Sequence, residues 1–267
     1  ALYTPRYLPL IEVGNFEDDW HRLAECDWIV EVVVERLDIK QQVFERVEEV
    51  RRPGTIVSSN TSGLSIAKMT EGRSDDFRAN FLVTHFFNPV RYMKLLELVA
   101  GEDTSPEVVD FMTDFGRFRL GKGIVFGKDT PNFVGNRIGV YGIVATLHHM
   151  MEMDYAVDEV DAITGPAMGH PGSATFGTSD LVGIDVMAHV IETIRQGCPD
   201  DEEIDKFVVP DFVENLISDE NPRQKLEDLA EILKDGIYEL MPSSKHMSGR
   251  TLGRLEPTPS LKYKNAA

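Results

Sequence analysis

The chain has 267 residues, of which 42% are hydrophobic and 27% charged, a composition typical of a globular protein with one large or two modest domains. Its 45 acidic and 27 basic side chains give a net charge of −18, which argues against nucleic-acid binding because that function relies on a basic surface. No apolar run approaches the roughly 20 residues that span a bilayer, and the N-terminus lacks the layout of a secretory signal. The sequence therefore predicts a cytoplasmic protein that binds neither nucleic acid nor membrane.

The two cysteines carry no sign of a structural or metal-binding role. Cys26 and Cys198 lie far apart in the chain and have no partner spacing. Neither a disulfide framework nor a thiolate metal site is indicated, so we expect reduced thiols and no bound metal.

Strand-like and helix-like segments alternate along the first half of the chain. The run DWIVEVVVE at 27–35 is apolar and β-branched over the length of a strand. Residues 36–50 follow as a helix whose apolar residues recur at helical spacing: Ile39, Val43, Val47 and Val50. Further strand candidates are 55–59, 80–88, 93–101 and 123–129. Before the last of them, a helix is predicted to begin at Pro106 with Ser105 as its N-cap.

This alternation predicts a mostly parallel sheet with helices on both faces. A dinucleotide-binding sheet opens with a strand and a G-x-G-x-x-G loop, and nothing of that kind precedes residue 27. We therefore expect an α/β fold, a partial Rossmann-like doubly wound sheet whose first βαβ unit is missing. Because such sheets bind ligands at the carboxyl ends of their strands, we expect the site in the loops after Glu35, Ser59 and Thr84.

The pattern changes after residue 127. Asp-Thr-Pro at 129–131 resembles the cap of a long apolar helix, and later segments continue at helical spacing with glycines between them. The sequence thus predicts two domains. Residues 1–127 are the remainder of a dinucleotide-binding domain, and residues 128–267 form an all-helical C-terminal domain.

Four polar residues lie at predicted strand ends and at the domain junction: Ser62, His85, Glu97 and Asn136. Taken singly, each has a common structural explanation, as a turn serine, a core histidine, a strand-edge glutamate and a helix residue that bonds a nearby loop. Together they suit alcohol–ketone interconversion with a hydride acceptor. A histidine can take the alcohol proton if a buried glutamate on the adjacent strand fixes its tautomer and stabilises the imidazolium. Ser62 and Asn136, one from each predicted domain, would hold the oxygen.

Four motifs, in order along the chain, resemble one known family: VVVERLDIK (32–40), SSNTSGLSI (58–66), HFFNPVRYMKLLELV (85–99) and DTPNFVGNRI (129–138). They are similar to segments of the 3-hydroxyacyl-CoA dehydrogenases of fatty-acid β-oxidation. More narrowly, the chain resembles the dehydrogenase part of long bacterial proteins in which this enzyme is fused to an enoyl-CoA hydratase, truncated at its N-terminus.

The resemblance implies a role for each of the four polar residues. His85 is expected to be the catalytic base, and Glu97 to orient and polarise it. Ser62 is expected to contact the substrate oxygen near the nicotinamide, and Asn136 to complete the site.

The resemblance also implies a cofactor, a reaction and partners. NAD is expected to bind through Glu35, Lys40, Asn88 and Ser62. The expected reaction is the NAD-dependent oxidation of (S)-3-hydroxyacyl-CoA to 3-ketoacyl-CoA. The expected partners are the acyl-CoA substrate, a second copy of the chain bound through the helical domain, and a fused or associated enoyl-CoA hydratase.

Two alternatives stay open on the sequence alone. The missing glycine-rich loop favours a non-catalytic fragment, or a dimerisation or docking module of a β-oxidation multienzyme protein, and leaves open whether the isolated chain is active. The same fold could also act on a hydroxy acid without CoA. Because CoA carries several negative charges, its binding would need a local basic surface, for which Arg91, Lys94 and Lys68 are candidates.

Overall fold

The computed structural model describes residues 5–218, 238–240 and 255–257 of the chain. The chain divides into two compact units, Ala1–Asn136 and Arg137–Ala267. The sequence placed the boundary between residues 127 and 128, nearer the N-terminus than the division after Asn136. The predicted position is where the last strand of the first unit ends.

The first unit is built on a five-stranded sheet in the order β1-β2-β3-β4-β5. The strands are β1 Trp28–Glu31, β2 Ile56–Ser59, β3 Phe81–Phe86, β4 Leu95–Ala100 and β5 Gly123–Gly127. Neighbouring strands are parallel except β3 and β4, which are antiparallel. The prediction of a mostly parallel sheet is confirmed, and each predicted strand is present. In the described residues before β1, Pro5–Leu10 and Trp20–Glu25 form short 3-10 helices.

β1 ends at Glu31, although the apolar run continues to Glu35, so the strand prediction was wrong over 32–35. In the described sheet β1 pairs with β2 alone, and that pairing ends where Glu31 meets Ser59. Past this point the N–H of Val33 donates to the carboxylate of Glu31, at 2.5 Å, instead of to a strand. A pattern of side chains cannot show where the partner strand stops.

Helices cover both faces of the sheet, as predicted. They are α1 Leu37–Val50, α2 Ile66–Met69, α3 Asp75–Ala79 and α4 Pro106–Asp114, the last continuing as a short π-helix at Phe115–Arg119. On one face Phe44 of α1 shares a core with Val83, and on the other Met112 of α4 packs with Leu82. Leu82 and Val83 are consecutive, so they point to opposite faces of the strand. α4 begins at Pro106 with Ser105 in the N-cap position, as predicted.

The buried stripe of α1 consists of Lys40, Phe44 and Val47. Of the predicted apolar stripe only Val47 is fully buried, whereas Ile39, Val43 and Val50 are half-buried. The buried stripe differs from the predicted one because carboxylates hold Lys40 in the interior. Hydrophobic spacing alone cannot indicate a buried lysine.

The described part of the second unit is helical apart from one strand pair. Its helices are α5 Gly135–Met153, which starts in the last residues of the first unit, α6 Val157–Thr164, α7 Phe176–Val182, α8 Ile184–Gly197 and α9 Asp211–Ser218. Val144 and Leu147 of α5 share a core with Ile191 and Ile194 of α8. The antiparallel pair β6 Tyr238–Leu240 and β7 Leu255–Pro257 was not predicted. Within the described residues, no helix has the length and apolar character that crossing a membrane requires.

Replacing Phe44 by alanine should lower the free energy of unfolding of the first unit by about 3–5 kcal/mol. The Phe44 ring is fully buried, with the Phe77 and Phe81 ring centroids 6.0 and 5.0 Å away. Urea unfolding followed by tryptophan fluorescence reports on this unit alone, because both tryptophans, Trp20 and Trp28, belong to it. The matched control is Phe118→Ala, which removes the same atoms from a residue that is 78% exposed and should change stability by about 0.5 kcal/mol or less. Equal losses from the two variants would contradict this core.

Candidate active site

His85 and Glu97 face each other across two adjacent strands. The antiparallel register of β3 and β4 pairs the two residues directly. His85 Nδ1 lies 2.5 Å from Glu97 Oε2, and the residues are 5% and 0% exposed. Each group therefore offsets the cost of burying the other.

The hydrogen bond between them fixes the tautomer of His85. An ionised carboxylate can only accept, so Nδ1 carries a proton and donates it to Oε2. In the neutral ring Nε2 is then the acceptor, and no described residue forms a hydrogen bond to it. The rings of Phe87 and Phe133 lie beside the imidazole, at centroid distances of 4.5 and 5.9 Å. The result is a buried histidine whose one free nitrogen can take a proton.

The second oxygen of Glu97 holds the start of a helix. Oε1 accepts from the backbone N–H of Val134 at 2.9 Å and from that of Gly135, the first residue of α5, at 2.6 Å. The carboxylate thus satisfies N–H groups that lack a partner within the helix, and its charge faces the positive end of the helix dipole. Burial alone would raise the pKa of Glu97, but the hydrogen bonds from His85 and from these two N–H groups favour the ionised form, and the pKa is lowered.

Asp129, which the sequence predicted to cap the long helix α5, caps a different helix. Asp129 accepts from the N–H of Ile66, at 3.0 Å to each carboxylate oxygen, and from the Ser65 hydroxyl at 3.1 Å. It therefore caps α2, and the prediction that residues 129–131 cap the long helix was wrong. A capping pattern indicates that a carboxylate meets free N–H groups, but it does not indicate which helix supplies them.

Ser62 lies in the loop after β2, and Glu35 holds the backbone of that loop. Glu35 Oε1 accepts from the Ser62 N–H at 2.9 Å and from the Thr61 hydroxyl at 2.5 Å. Thr61 Oγ1 in turn accepts from the N–H of Leu64 at 3.0 Å. Ser62 is half-buried, and its hydroxyl has no hydrogen-bond partner in the described part of the chain. The loop thus presents a hydroxyl that can bond a ligand.

Two contacts hold this loop near the histidine. Asn60 Oδ1 accepts from the N–H of Phe86, the residue after His85, at 2.9 Å. Gly63 lies so close to the segment before α5 that a Cβ there would be 2.6 Å from the backbone nitrogen of Asn132, so any side chain would push the loop away. The Ser62 loop, the end of β3 and the segment before α5 therefore meet at one end of the sheet.

Glu35 and Lys40 pair with each other. Lys40 Nζ lies 3.2 Å from Glu35 Oε2 and 2.9 Å from each oxygen of Glu31. The side chains of Lys40 and Glu31 are 1% exposed, whereas that of Glu35 is 43% exposed. Of these three, Glu35 is the residue that offers surface to a ligand, and its carboxylate has lone pairs left to accept from one. Sequence reasoning missed Glu31, whose only signal was an acidic residue inside an apolar run, and it missed Thr61 and Asn60.

The side chains of Asn88 and Asn136 take no part in the hydrogen bonds described above. Asn88 is exposed in the loop after β3. Asn136 is the second residue of α5, half-buried, and the last residue of the first unit. Among the described residues, no hydrogen bond joins either side chain to His85, Glu97 or Ser62. In the same part of the chain, no group of three or more His, Cys, Asp or Glu side chains could hold a metal ion.

Comparison with known proteins gives matches along most of the chain. The family model "3-hydroxyacyl-CoA dehydrogenase, NAD binding domain" matches residues 4–130, and the model "3-hydroxyacyl-CoA dehydrogenase, C-terminal domain" matches residues 133–228. A Bacillus subtilis protein named "Probable 3-hydroxyacyl-CoA dehydrogenase" is 53% identical over 78% of this chain and 26% of its own length. A Deinococcus radiodurans protein of the same name is 46% identical over 78% of this chain and 60% of its own length.

A solved structure is similar as well. The crystal structure of (S)-3-hydroxybutyryl-CoA dehydrogenase PaaH1 from Ralstonia eutropha matches with a TM-score of 0.65 and 27% identity, over 74% of this chain and 68% of that one. The chain thus spans only about a quarter of the Bacillus relative and three fifths of the Deinococcus relative.

Replacing Glu97 by glutamine should lower the free energy of unfolding by about 1.5–3 kcal/mol at pH 5.5, because the bonds to this carboxylate are charge-assisted. Folding lowers the pKa of Glu97, so its contribution to stability is complete above the unfolded pKa of about 4.3 and is lost as the pH falls through the folded pKa. The stability gap between wild type and variant should therefore narrow between pH 5.5 and pH 3.5. Urea unfolding by tryptophan fluorescence at each pH measures this gap. Glu102→Gln, at an exposed glutamate, is the control with little expected effect, and a Glu97 gap that widens as the pH falls would contradict the assignment.

Proposed function

Because the chain belongs to the 3-hydroxyacyl-CoA dehydrogenase family, we propose that it catalyses the NAD-dependent oxidation of (S)-3-hydroxyacyl-CoA to 3-ketoacyl-CoA, a step of fatty-acid β-oxidation. The observation that carries this proposal is the buried pair of His85 and Glu97, with one imidazole nitrogen free. Oxidation of an alcohol removes a proton from oxygen and a hydride from carbon. His85 and Glu97 suit the removal of the proton from oxygen.

The second loss needs an acceptor, and bound NAD would supply it by taking the hydride. Glu35, Lys40, Asn88 and Ser62 would hold this cofactor. Lys40 lies on α1 with its Nζ 3.2 Å from Glu35 Oε2, and the other three lie in the loops after β1, β2 and β3, the strand ends where parallel sheets bind ligands. The half-exposed carboxylate of Glu35 suits a sugar hydroxyl, which would donate to it, and the exposed amide of Asn88 can donate or accept.

The residues of the chain would carry out the proton transfer. His85 Nε2 takes the proton of the substrate hydroxyl, and the imidazolium that forms lies 2.5 Å from the Glu97 carboxylate, which stabilises it. The Ser62 hydroxyl and the Asn136 amide would donate to the substrate oxygen and hold it. The rings of Phe87 and Phe133, which lie beside the imidazole, would limit the access of water to it during this transfer.

We extend the proposal to partners and location. The substrate would be an acyl-CoA, and the exposed Arg91 and Lys94 in the loop after β3 suit its phosphates in a chain with a net charge of −18. A second copy of this chain, bound through the second unit, and a fused or associated enoyl-CoA hydratase would be the protein partners. The great length of the Bacillus relative leaves room for further domains in that protein. We also propose a cytoplasmic location.

Replacing His85 by alanine should lower the rate of acetoacetyl-CoA reduction by about 10²–10⁴-fold, the usual contribution of a general acid or base. In this reverse direction the same imidazole returns the proton, and the rate is measured as NADH consumption. Glu97→Gln should also lower the rate severely. His21→Ala, at an exposed histidine of the same unit, is the control and should leave the rate unchanged.

The assay is run on the 267-residue chain and on a longer version that adds a strand and a glycine-rich loop ahead of β1. Turnover by either version, lost in His85→Ala, supports the proposal. Turnover by the longer version alone also supports a need for a pyrophosphate-binding loop. Near-normal turnover by His85→Ala would overturn the site. No turnover by either folded version would overturn the catalytic function in favour of a non-catalytic module.

A further inference from the structure

The loop after β3 carries three residues to which the proposed function assigns a ligand. They are Asn88, for NAD, and Arg91 and Lys94, for the acyl-CoA. Every residue from 88 to 94 is exposed, so core packing does not hold this loop in place. A loop that must be ordered during binding loses affinity, so a loop that meets two ligands benefits from bonds that fix its shape in advance.

One backbone turn lies within this loop. The carbonyl of Pro89 accepts from the N–H of Tyr92 at 2.9 Å and from that of Met93 at 3.0 Å. A single turn is unstable on its own, because fixing its backbone angles costs more than its few hydrogen bonds return. The turn therefore depends on support from outside the loop.

Lys122, the residue before β5, provides this support. Its Nζ donates to the carbonyl of Val90 at 2.5 Å and to that of Met93 at 2.7 Å. Next in the chain, the N–H of Gly123 donates to the carbonyl of Lys94 at 2.7 Å, where β5 begins to pair with β4. The ammonium thus bonds two carbonyls of the turn from a position that the sheet fixes, and hydrogen bonds from a charged donor are the stronger kind.

The surroundings of Lys122 differ from those of an ordinary surface lysine. Two of the three ammonium N–H groups go to the carbonyls, and Nζ lies 5.8 Å from the centroid of the Phe86 ring. The residue is half-buried, and within the part of the chain that the structure describes it forms no ion pair. In a chain with 45 acidic residues, this lysine has backbone carbonyls as its partners instead of carboxylates.

We propose that Lys122 is a positioning residue, which holds the turn between Pro89 and Met93 and so fixes the loop that carries the proposed ligand-binding residues. It acts through the loop and not by contact with cofactor or substrate. The inference rests on the proposed function for what the loop binds. The coupling between Lys122 and the turn is a property of the protein alone, so it can be tested without a ligand.

The first test measures the exchange rates of the Tyr92 and Met93 amide hydrogens by ¹⁵N NMR, with no ligand present. Lys122→Met keeps most of the side-chain length but cannot donate, so both rates should rise by about tenfold. Lys122→Arg keeps a cation with several donors, and its rates should stay within about threefold of wild type. Lys128→Met removes the same charge from an exposed lysine of the same unit, and it should exchange as wild type does.

The second test compares KM and kcat for acetoacetyl-CoA reduction, in whichever version of the chain turns over. Lys122→Met should raise KM for both NADH and acetoacetyl-CoA by about five- to tenfold, because the loop meets both ligands. The change in kcat should be smaller, because His85 and Glu97 are held by bonds of their own. Lys122→Arg should recover most of the loss in both KM values, and Lys128→Met should leave them unchanged.

Two readouts together decide the role of Lys122. Unchanged exchange of Tyr92 and Met93 in Lys122→Met overturns the support of the turn, and higher KM values without faster exchange mean that Lys122 contacts a ligand directly. Faster exchange with unchanged KM values overturns the positioning role as well. If Lys122→Met does not fold, Lys122→Gln, which is shorter and uncharged, decides by the same two readouts. If the wild-type protein shows no turnover in either version, the proposed function fails, while the exchange rates still decide the coupling.

Discussion

The carboxylate of Glu97 is the group on which the rest of the site depends. It is fully buried, and a buried charge is stable only where hydrogen bonds replace its water. The donors are the ring of His85 on the neighbouring strand and two backbone N–H groups, of Val134 and Gly135, at the start of α5. Because these donors belong to separate elements, satisfying one carboxylate also fixes the end of β3 against the start of α5. The pair of His85 and Glu97 and the local architecture are therefore one arrangement.

Glu35 acts on the loop after β2 in the same way. Loops and helix starts at the strand ends carry N–H groups that no neighbouring strand satisfies, and each needs a partner. Glu35 accepts from the Ser62 N–H, Glu97 from the N–H groups at the start of α5, and Asp129 from the N–H of Ile66. These carboxylates thus connect elements that are distant in sequence. Part of the acidity of this chain is therefore structural, because these three carboxylates hold backbone N–H groups.

The sequence predicted the parts of this structure that depend on local chemistry. Apolar runs gave the strands, and the types of residue at 85 and 97 suggested a buried pair. Contacts set by tertiary structure could not be read in the same way. Asp129 looked like the cap of the long helix but caps α2, because only the fold brings Ile66 to it. Lys40 lies inside the stripe of α1 since Glu31, nine positions earlier in another element, neutralises it.

The burial of His85, which appears unfavourable from the sequence, is what suits it to proton transfer. Its Nδ1 is bonded to a carboxylate that two backbone N–H groups already hold, so neither group needs to move when the ring becomes charged. A solvent-exposed pair would have to reorganise water around the new charge at each transfer, and the attraction would be weakened by the high dielectric constant. In the proposed reaction the orientation would be complete before a substrate arrives. Since no described residue bonds Nε2, the fold would also determine which atom meets the substrate.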